Sequence, residues 1–183
     1  MSAADWTSIE IQQDIRLVVA DMDGTLLDEH SEIPQGFWPM LARLRSRGVE
    51  FVPASGRQYA TLRAMFADKA ARVLDGGELS YIAENGNVVA IDGNIAEVHG
   101  VDTDVTRWTI DTVNASAADG EYDMGLVLCG LRTAYVQRTD KPFLDEVGKY
   151  YAALEIVDDL HSVLEDVIAS NGESDTILKL AIL

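Results

Sequence analysis

Cysteine is nearly absent from this 183-residue sequence: it occurs once, at position 129. A single cysteine cannot form a disulfide within the chain, and a chain without disulfides suits a reducing compartment. We therefore expect a cytoplasmic protein. Cys129 lies in the apolar run MGLVLCG, and we expect it to be a buried strand residue and not a nucleophile.

Basic residues are also scarce, because 14 lysines and arginines stand against 31 aspartates and glutamates, for a net charge of −17. Nucleic acids and anionic membranes are bound by clustered Lys and Arg, so this balance argues against both partners. No run approaches the roughly 18 apolar residues that span a membrane. The first 15 residues contain acids and no apolar segment, so we expect no secretory signal.

The most informative stretch is Leu17–Leu27, LVVADMDGTLL, in which an apolar run ends in two closely spaced carboxylates. No polar residue alternates within the run, which predicts a central parallel strand buried on both faces. Asp21 and Asp23 would then lie at the carboxyl end of that strand, where α/β sheets bind ligands. Two acids followed by a glycine turn suit a divalent cation and a phosphate. The alternative is a pair of solvated loop acids.

Apolar runs alternate with helical periodicity through the first half of the chain. We predict three strands, at 15–21, 49–53 and 81–83, and two helices, one from Pro34 to Gly48 and one at 58–72. This order implies right-handed crossovers and a parallel sheet. Polar or glycine-rich segments follow the strands and would meet at one edge of the sheet: Asp21–Thr25, Ser55–Arg57 and Glu84–Gly86.

The pattern changes after residue 86. Short apolar stretches joined by turns predict two hairpins, at 87–98 and 125–137. Further elements are expected in the rest of this half: helices at 102–118, 142–153 and 160–169, and strands at 154–157 and 176–183. Hairpins mixed with helices predict an α+β module whose sheet is mostly antiparallel.

With its three strand ends in this order, the sequence resembles the haloacid dehalogenase-like phosphatases, and among them the Cof-type branch with an α/β cap. The resemblance covers nearly the whole chain. It implies an α/β fold in which a partial Rossmann-like core with a parallel sheet, residues 1–86, is followed by an α+β cap, residues 87–183. The family's third motif, a lysine, and its fourth, an acidic pair, have no counterpart before Leu183. We therefore expect a chain truncated within the cap.

The resemblance assigns roles to both acids of the first motif. Asp21 would be the nucleophile that forms an aspartyl-phosphate, and Asp23 would protonate the leaving group and later deprotonate water. Mg²⁺ would be held by the Asp21 carboxylate and the backbone carbonyl of Asp23, and it would offset the repulsion between two anions.

The resemblance also implies a phosphate-binding set. Gly24 and Thr25 would present backbone amides to the phosphoryl group, and Ser55 would donate its hydroxyl beside the Gly56 amide. Arg57 either assists with phosphate charge or is a surface cation at the start of a helix.

Asn85 is expected to contact the substrate where core and cap meet, although Asn85-Gly86 could instead form only a turn. Two lysines, Lys141 and Lys179, are candidates for the family's phosphate-stabilising lysine, but both lie in cap-like sequence. We expect Lys179 to point from the exposed face of its strand.

These features together predict a Mg²⁺-dependent phosphomonoester hydrolase that acts on small phosphorylated metabolites such as sugar phosphates. One alternative is a catalytically incomplete remnant that binds phosphate or a protein partner. Another is a phosphosugar mutase of the same superfamily. A half-sheet with an open edge would expose apolar surface, so a second copy of the chain, forming a homodimer, is a further expected partner.

Overall fold

A computed structural model describes residues 13–120, 122–151 and 153–183. Residues 1–14, whose polar and irregular sequence predicts a loose leader, lie almost wholly outside the described residues. In the part of the chain that the structure describes, the first sheet contains five strands in sequence order: β1 (Leu17–Asp21), β2 (Glu50–Ala54), β3 (Tyr81–Ala83), β4 (Val88–Ile91) and β5 (Asn94–Val98).

The first three strands are parallel, as the sequence predicts. Asp21 on β1 lies opposite Ala54 on β2, which in turn lies opposite Ile82 on β3. The segments that follow these strands therefore leave the sheet at the same edge. Strands β4 and β5 form the predicted hairpin, but β4 pairs antiparallel with β3 and so extends this same sheet. The proposed boundary at residue 86 falls between β3 and β4, and as a domain division it stays a prediction.

Two helices, α1 (Phe37–Ser46) and α2 (Tyr59–Val73), cover one face of the first sheet. Their aromatic side chains meet edge to face in the core, with the rings of Phe37 and Phe66 centred 5.9 Å apart. Helix α1 begins at Phe37 and not at Pro34, because Pro34 precedes the helix in a turn closed by the Phe37 N–H.

Strand β1 departs from the sequence prediction. It lies at the edge of the sheet, paired with β2 alone among the described residues, and is not a central strand. Its burial alternates: Val18 and Ala20 pack against the core, whereas Leu17 and Val19 are 53% and 49% exposed. A strand is buried on both faces only when other elements pack on both sides of its sheet. Among the described residues, helices pack on one side of the first sheet. The expected homodimer stays a prediction.

The second sheet has the order β8-β7-β6-β9. Its elements follow β5 in the chain: α3 (Thr103–Ala118), β6 (Leu126–Gly130), β7 (Ala134–Val136), α4 (Lys141–Val147), β8 (Leu154–Ile156), α5 (Leu160–Ala169) and β9 (Ile177–Ile182). Strand β6 pairs antiparallel with both β7 and β9, and only β7 with β8 is parallel. The predicted, mostly antiparallel second sheet is confirmed.

Helices cover both faces of the second sheet, so β6 is buried along its whole length. Leu128 packs towards α3 and α5, whereas Cys129 packs on the opposite face with α4. Burial of Cys129 is therefore confirmed. Helix α4 ends at Val147, six residues before the predicted end at 153. Among the described residues no helix has the length and apolar character needed to cross a membrane. The cytoplasmic location stays a prediction.

Candidate active site

The two acids of the first motif lie where β1 ends: Asp21 is the last residue of the strand, and Asp23 belongs to the tight turn Met22–Leu26 that follows it. Met22 is fully buried, and its carbonyl accepts the N–H of Leu27, which closes the turn. Gly24 has φ +72°, a left-handed conformation that residues with a Cβ rarely adopt. The buried methionine anchors the turn in the core, so the neighbouring acids Asp21 and Asp23 remain at the surface of the sheet edge.

The Asp21 carboxylate accepts a hydrogen bond from the Thr25 hydroxyl, with 3.2 Å between Oδ2 and Oγ1. This contact holds one carboxylate oxygen and leaves Oδ1 for another ligand. Both side chains are exposed. The sequence assigned Thr25 through its backbone amide, and the structure shows an additional role for its hydroxyl in orienting the predicted nucleophile.

Asp23 is paired with Arg57 across the sheet edge, with Nη2 and Oδ1 2.6 Å apart. The Arg57 Nε atom is buried and has no acceptor within the described residues. A buried donor without a partner is costly, so this N–H favours an anion in the site. Arg57 thus lines the cavity next to Asp23, and its part in binding phosphate stays a prediction.

Ser55 is 8% exposed and directly follows β2. Its Oγ accepts the Arg57 N–H at 3.2 Å, so the single hydroxyl proton is available for another acceptor. Beside it, Gly56 meets the Asn85 side chain: a Cβ on Gly56 would lie 2.5 Å from Asn85 Oδ1. A larger residue here would force the Asn85 side chain or the loop to shift, a constraint that the sequence did not reveal.

Asn85 lies in the Glu84–Gly86 turn after β3, with φ +59°. Its N–H donates to the Ser55 carbonyl at 3.2 Å. The residue is exposed and does not line the cavity next to the site. The structure thus places Asn85 against the Ser55–Arg57 loop, and its predicted contact with substrate stays a prediction.

A cavity of about 530 Å³ lies between the first and second sheets, within the size range of small-molecule sites. Its walls combine the site residues with side chains that sequence reasoning missed. The first sheet and α2 contribute Asp23, Ser55, Gly56, Arg57, Gln58 and Thr61, and the second sheet with its loops contributes Lys149, Tyr150, Tyr151, Lys179 and Leu183. Three predicted site residues lie outside this lining: Asp21 at the end of β1, and Gly24 and Thr25 in the exposed turn after it.

Lys179 is the main correction to the sequence analysis. It was expected on the exposed face of β9, but its ammonium lies 2.9 Å from Glu84 Oε2 and 3.0 Å from the Gly56 carbonyl. The side chain is only 21% exposed and lines the cavity. A lysine as the single charge in the apolar strand TILKLAIL was the available signal, because a half-buried ammonium must find acceptors.

Tyr151 forms part of the cavity wall beside Lys179, whose Nζ lies 5.5 Å from the ring centroid. Burial raises the pKa of the Tyr151 hydroxyl. The Tyr151 oxygen accepts a hydrogen bond from the Cys129 thiol, with 3.1 Å between oxygen and sulfur. Burial likewise raises the pKa of the Cys129 thiol. Both groups therefore stay neutral near pH 7, and Cys129 is not activated as a nucleophile.

A divalent cation such as Mg²⁺ needs oxygen donors grouped closely in space. Within the described ranges, no three His, Cys, Asp or Glu side chains are grouped to hold a metal ion. Mg²⁺ keeps several waters and is commonly bound through one or two carboxylates together with substrate phosphate. One exposed carboxylate, that of Asp21 at the end of β1, together with the nearby backbone carbonyl of Asp23, fits that mode of binding.

The chain is similar in sequence to known proteins. A model of the haloacid dehalogenase-like hydrolases matches residues 18–180. The chain is 28% identical, over 160 residues, to the 5-amino-6-(5-phospho-D-ribitylamino)uracil phosphatase YbjI of Escherichia coli K12, covering 86% of this chain and 55% of that protein.

Solved structures show the same fold. SMU.1108c from Streptococcus mutans superposes with a TM-score of 0.67 at 20% identity, over 81% of this chain and 53% of that one. TM0651 from Thermotoga maritima superposes with a TM-score of 0.60 at 18% identity, over 89% of this chain and 54% of that one. The chain thus spans about half the length of the relatives that it matches. With the family model matched over most of its length, the chain belongs to the haloacid dehalogenase-like hydrolases, and the family predicted from its sequence, including the Cof-type branch, is confirmed.

Proposed function

We propose that this chain carries the nucleophile and part of the phosphate site of a Mg²⁺-dependent phosphatase for small phosphorylated metabolites. The observation that supports this most directly is the meeting of Asp23 and Arg57, which brings the turn after β1 against the loop after β2. The Asp23 carboxylate thereby lies at a cavity that Ser55 also lines, beside a guanidinium whose buried Nε–H has no acceptor among the described residues. The relative YbjI is by name a phosphatase.

The proposed reaction has two displacement steps. Asp21 Oδ1 attacks phosphorus, a carboxylate–phosphorus bond forms, and the ester oxygen leaves with a proton supplied by Asp23. Asp23 then takes a proton from water, whose oxygen attacks phosphorus and releases inorganic phosphate and the Asp21 carboxylate. The Thr25 hydroxyl keeps the attacking carboxylate in one orientation through its hydrogen bond to Oδ2.

Charge is the main obstacle for this chemistry, since the chain has a net charge of −17 and the substrate is an anion. Arg57 and the Ser55 hydroxyl would bind the non-bridging phosphoryl oxygens, where negative charge is concentrated. Mg²⁺, held by Asp21 and Asp23, would supply further neutralisation of that charge. The Arg57–Asp23 ion pair also holds the Asp23 side chain at the wall of the cavity, where a substrate would bind.

Substrate choice is assigned to the cavity between the sheets. Its walls contain hydroxyl, ammonium and aromatic groups from the second sheet and its loops, among them Lys149 and Tyr150. Such a mixture suits a polar metabolite with a hydroxylated or cyclic leaving group. The second sheet would cover the site in the manner of a cap, excluding water while phosphoryl transfer proceeds.

Phosphate release provides the test. The chain is incubated with sugar phosphates, an aryl phosphate and 5-amino-6-(5-phospho-D-ribitylamino)uracil, with Mg²⁺ and with a chelator, and inorganic phosphate is measured. We expect release that needs Mg²⁺ and disappears in Asp21→Asn, while Asp68→Asn on the exposed surface of α2 retains wild-type rates. Equal release by wild type and Asp21→Asn would contradict the proposal. Isomerised sugar phosphate without net phosphate release would indicate a mutase.

A further inference from the structure

Backbone hydrogen bonds from the turn after β3 hold the loop Ser55–Arg57 in place. The Ser55 carbonyl accepts the Asn85 N–H at 3.2 Å, and the Arg57 carbonyl accepts the Glu84 N–H at 3.1 Å. Both donors are backbone groups at the end of the neighbouring strand. The first and third carbonyls of this loop are therefore held by the first sheet itself.

The middle carbonyl is held differently. Gly56 O accepts a hydrogen bond from the ammonium of Lys179, a side chain of β9 in the second sheet, at 3.0 Å. The same ammonium is bound at 2.9 Å by Glu84, a carboxylate in a residue only 2% exposed. A buried ion pair with good hydrogen-bond geometry holds its members in defined positions, because separating them would leave a buried charge unpaired.

One planar peptide unit connects Lys179 to the Ser55 hydroxyl. The Gly56 carbonyl and the Arg57 N–H belong to the same rigid peptide and point in opposite directions. Lys179 binds the carbonyl side, and the N–H side donates to Ser55 Oγ at 3.2 Å. Rotation of this peptide would move both contacts together, so the ammonium of Lys179 determines where the amide points.

The direction of the Arg57 amide matters because it determines which way the Ser55 hydroxyl can donate its own proton. Ser55 Oγ uses a lone pair to accept the Arg57 N–H, and the remaining hydroxyl proton must be donated elsewhere. With the lone pair fixed, the torsion angle of the hydroxyl is restricted, and its proton is available to an acceptor in the cavity that Ser55 lines.

We infer that Lys179 is a positioning residue, which sets the orientation of the Ser55 hydroxyl through the Gly56–Arg57 peptide. The inference rests on the proposed function in one respect, the assignment of Ser55 to the phosphoryl group. It has a structural consequence as well. The Ser55 hydroxyl is held in this orientation only while β9 lies against the loop after β2. The position of the second sheet and the orientation of the phosphate-binding hydroxyl are therefore coupled.

The first measurement does not depend on catalysis. Hydrogen exchange of the Arg57 amide is followed by NMR in wild type, Ser55→Ala, Lys179→Arg and Lys179→Met, with Lys141→Met, an exposed lysine on α4, as the control. We expect protection to fall about tenfold or more in Ser55→Ala and Lys179→Met and to be retained in Lys179→Arg and the control. Wild-type protection in Lys179→Met would overturn the inference.

Lys179→Met leaves the Glu84 carboxylate buried without its partner and can fail to fold for that reason alone. The variant Lys179→Met/Glu84→Gln removes the charge together with the ammonium. It is expected to fold and to lose Arg57 amide protection. Retained protection in this folded double variant would overturn the inference as well.

The second measurement is a double-mutant cycle on kcat/KM for phosphate release. Lys179→Met/Glu84→Gln is expected to lower kcat/KM about tenfold in the wild-type background but less than about twofold when Ser55 is already alanine. Equal losses in both backgrounds would show that Lys179 does not act through Ser55. If wild type releases no phosphate dependent on Asp21, the proposed function fails, and the amide exchange still decides the role of Lys179.

Discussion

The Arg57 guanidinium lies 2.6 Å from the Asp23 carboxylate, although 34 positions separate the two residues in the chain. The contact is possible because β1 and β2 are parallel neighbours and end at the same edge of the sheet. It brings a carboxylate from the first strand end to a cation from the second. Several consequences of this contact and its surroundings can be measured.

Replacing Arg57 by lysine is expected to lower kcat/KM for phosphate release about 10- to 100-fold, because an ammonium lacks the planar set of donors that reaches both Asp23 and an anion. The free energy of unfolding should change by less than about 1 kcal/mol, since the ion pair is largely exposed. Steady-state kinetics and urea unfolding measure the two effects. A stability loss without a kinetic effect would assign Arg57 a structural role only.

Replacing Gly56 by alanine is expected to distort the loop after β2, because the new Cβ would lie 2.5 Å from Asn85 Oδ1. Phosphate release and Arg57 amide protection should both fall. The double change Gly56→Ala/Asn85→Gly removes the obstructing side-chain amide, and glycine tolerates the φ of +59° at position 85. It should therefore restore part of the phosphate release and part of the Arg57 amide protection.

The matched control for that pair is Gly36→Ala, since an added Cβ at Gly36 meets no atom within 4 Å. It should leave activity and amide protection unchanged. No recovery in the Gly56→Ala/Asn85→Gly variant would argue against the close approach as the reason for glycine at this position.

Phe66 is fully buried where α1, α2 and β3 meet, and its ring lies edge to face against those of Phe37 and Tyr81. Phe66→Ala should lower the free energy of unfolding by about 3–5 kcal/mol, because a cavity replaces the ring. Phe66→Leu should cost less, since it keeps most of the buried volume. Urea denaturation of both variants provides the comparison, and equal losses would contradict the cavity explanation.

Arg63 on α2 forms two hydrogen bonds with Glu78, which precedes β3. These bonds lower the pKa of the Glu78 carboxyl below its usual value of 4.5. A lowered folded-state pKa means that the pair stabilises the fold above the unfolded-state pKa and that this contribution disappears as the pH falls through the folded-state pKa.

Glu78→Gln should therefore be less stable than wild type at pH 7, and the difference should shrink and then vanish as the pH falls through the lowered folded-state pKa of Glu78. Urea unfolding at a series of pH values measures it. Glu173→Gln, an exposed glutamate before β9, is the control and should show no such convergence. A difference between wild type and Glu78→Gln that grows on acidification would contradict the assignment.

Much of the site was predictable because it is encoded locally. The DMDGT sequence after an apolar run is enough to put Asp21 and Asp23 at a strand end, and the alternation of strands and helices is enough to put Ser55 and Arg57 beside them. The position of Lys179 was not predictable in this way. It lies 123 positions from Gly56, and only the packing of β9 against the first sheet brings the two together.

The sequence alone determined the family, the parallel order of the first three strands and the mostly antiparallel second sheet, since these follow from short-range periodicity and a contiguous motif. Tertiary structure alone decided that β1 pairs with β2 alone among the described residues, that the β4–β5 hairpin extends the first sheet, and that Lys179 lines the cavity. Such features depend on which surfaces meet across long sequence separations. The Lys179 ammonium is bound by the acceptors that the packing of the two sheets places beside it, the Gly56 carbonyl and the Glu84 carboxylate. The sequence around Lys179 does not specify these acceptors.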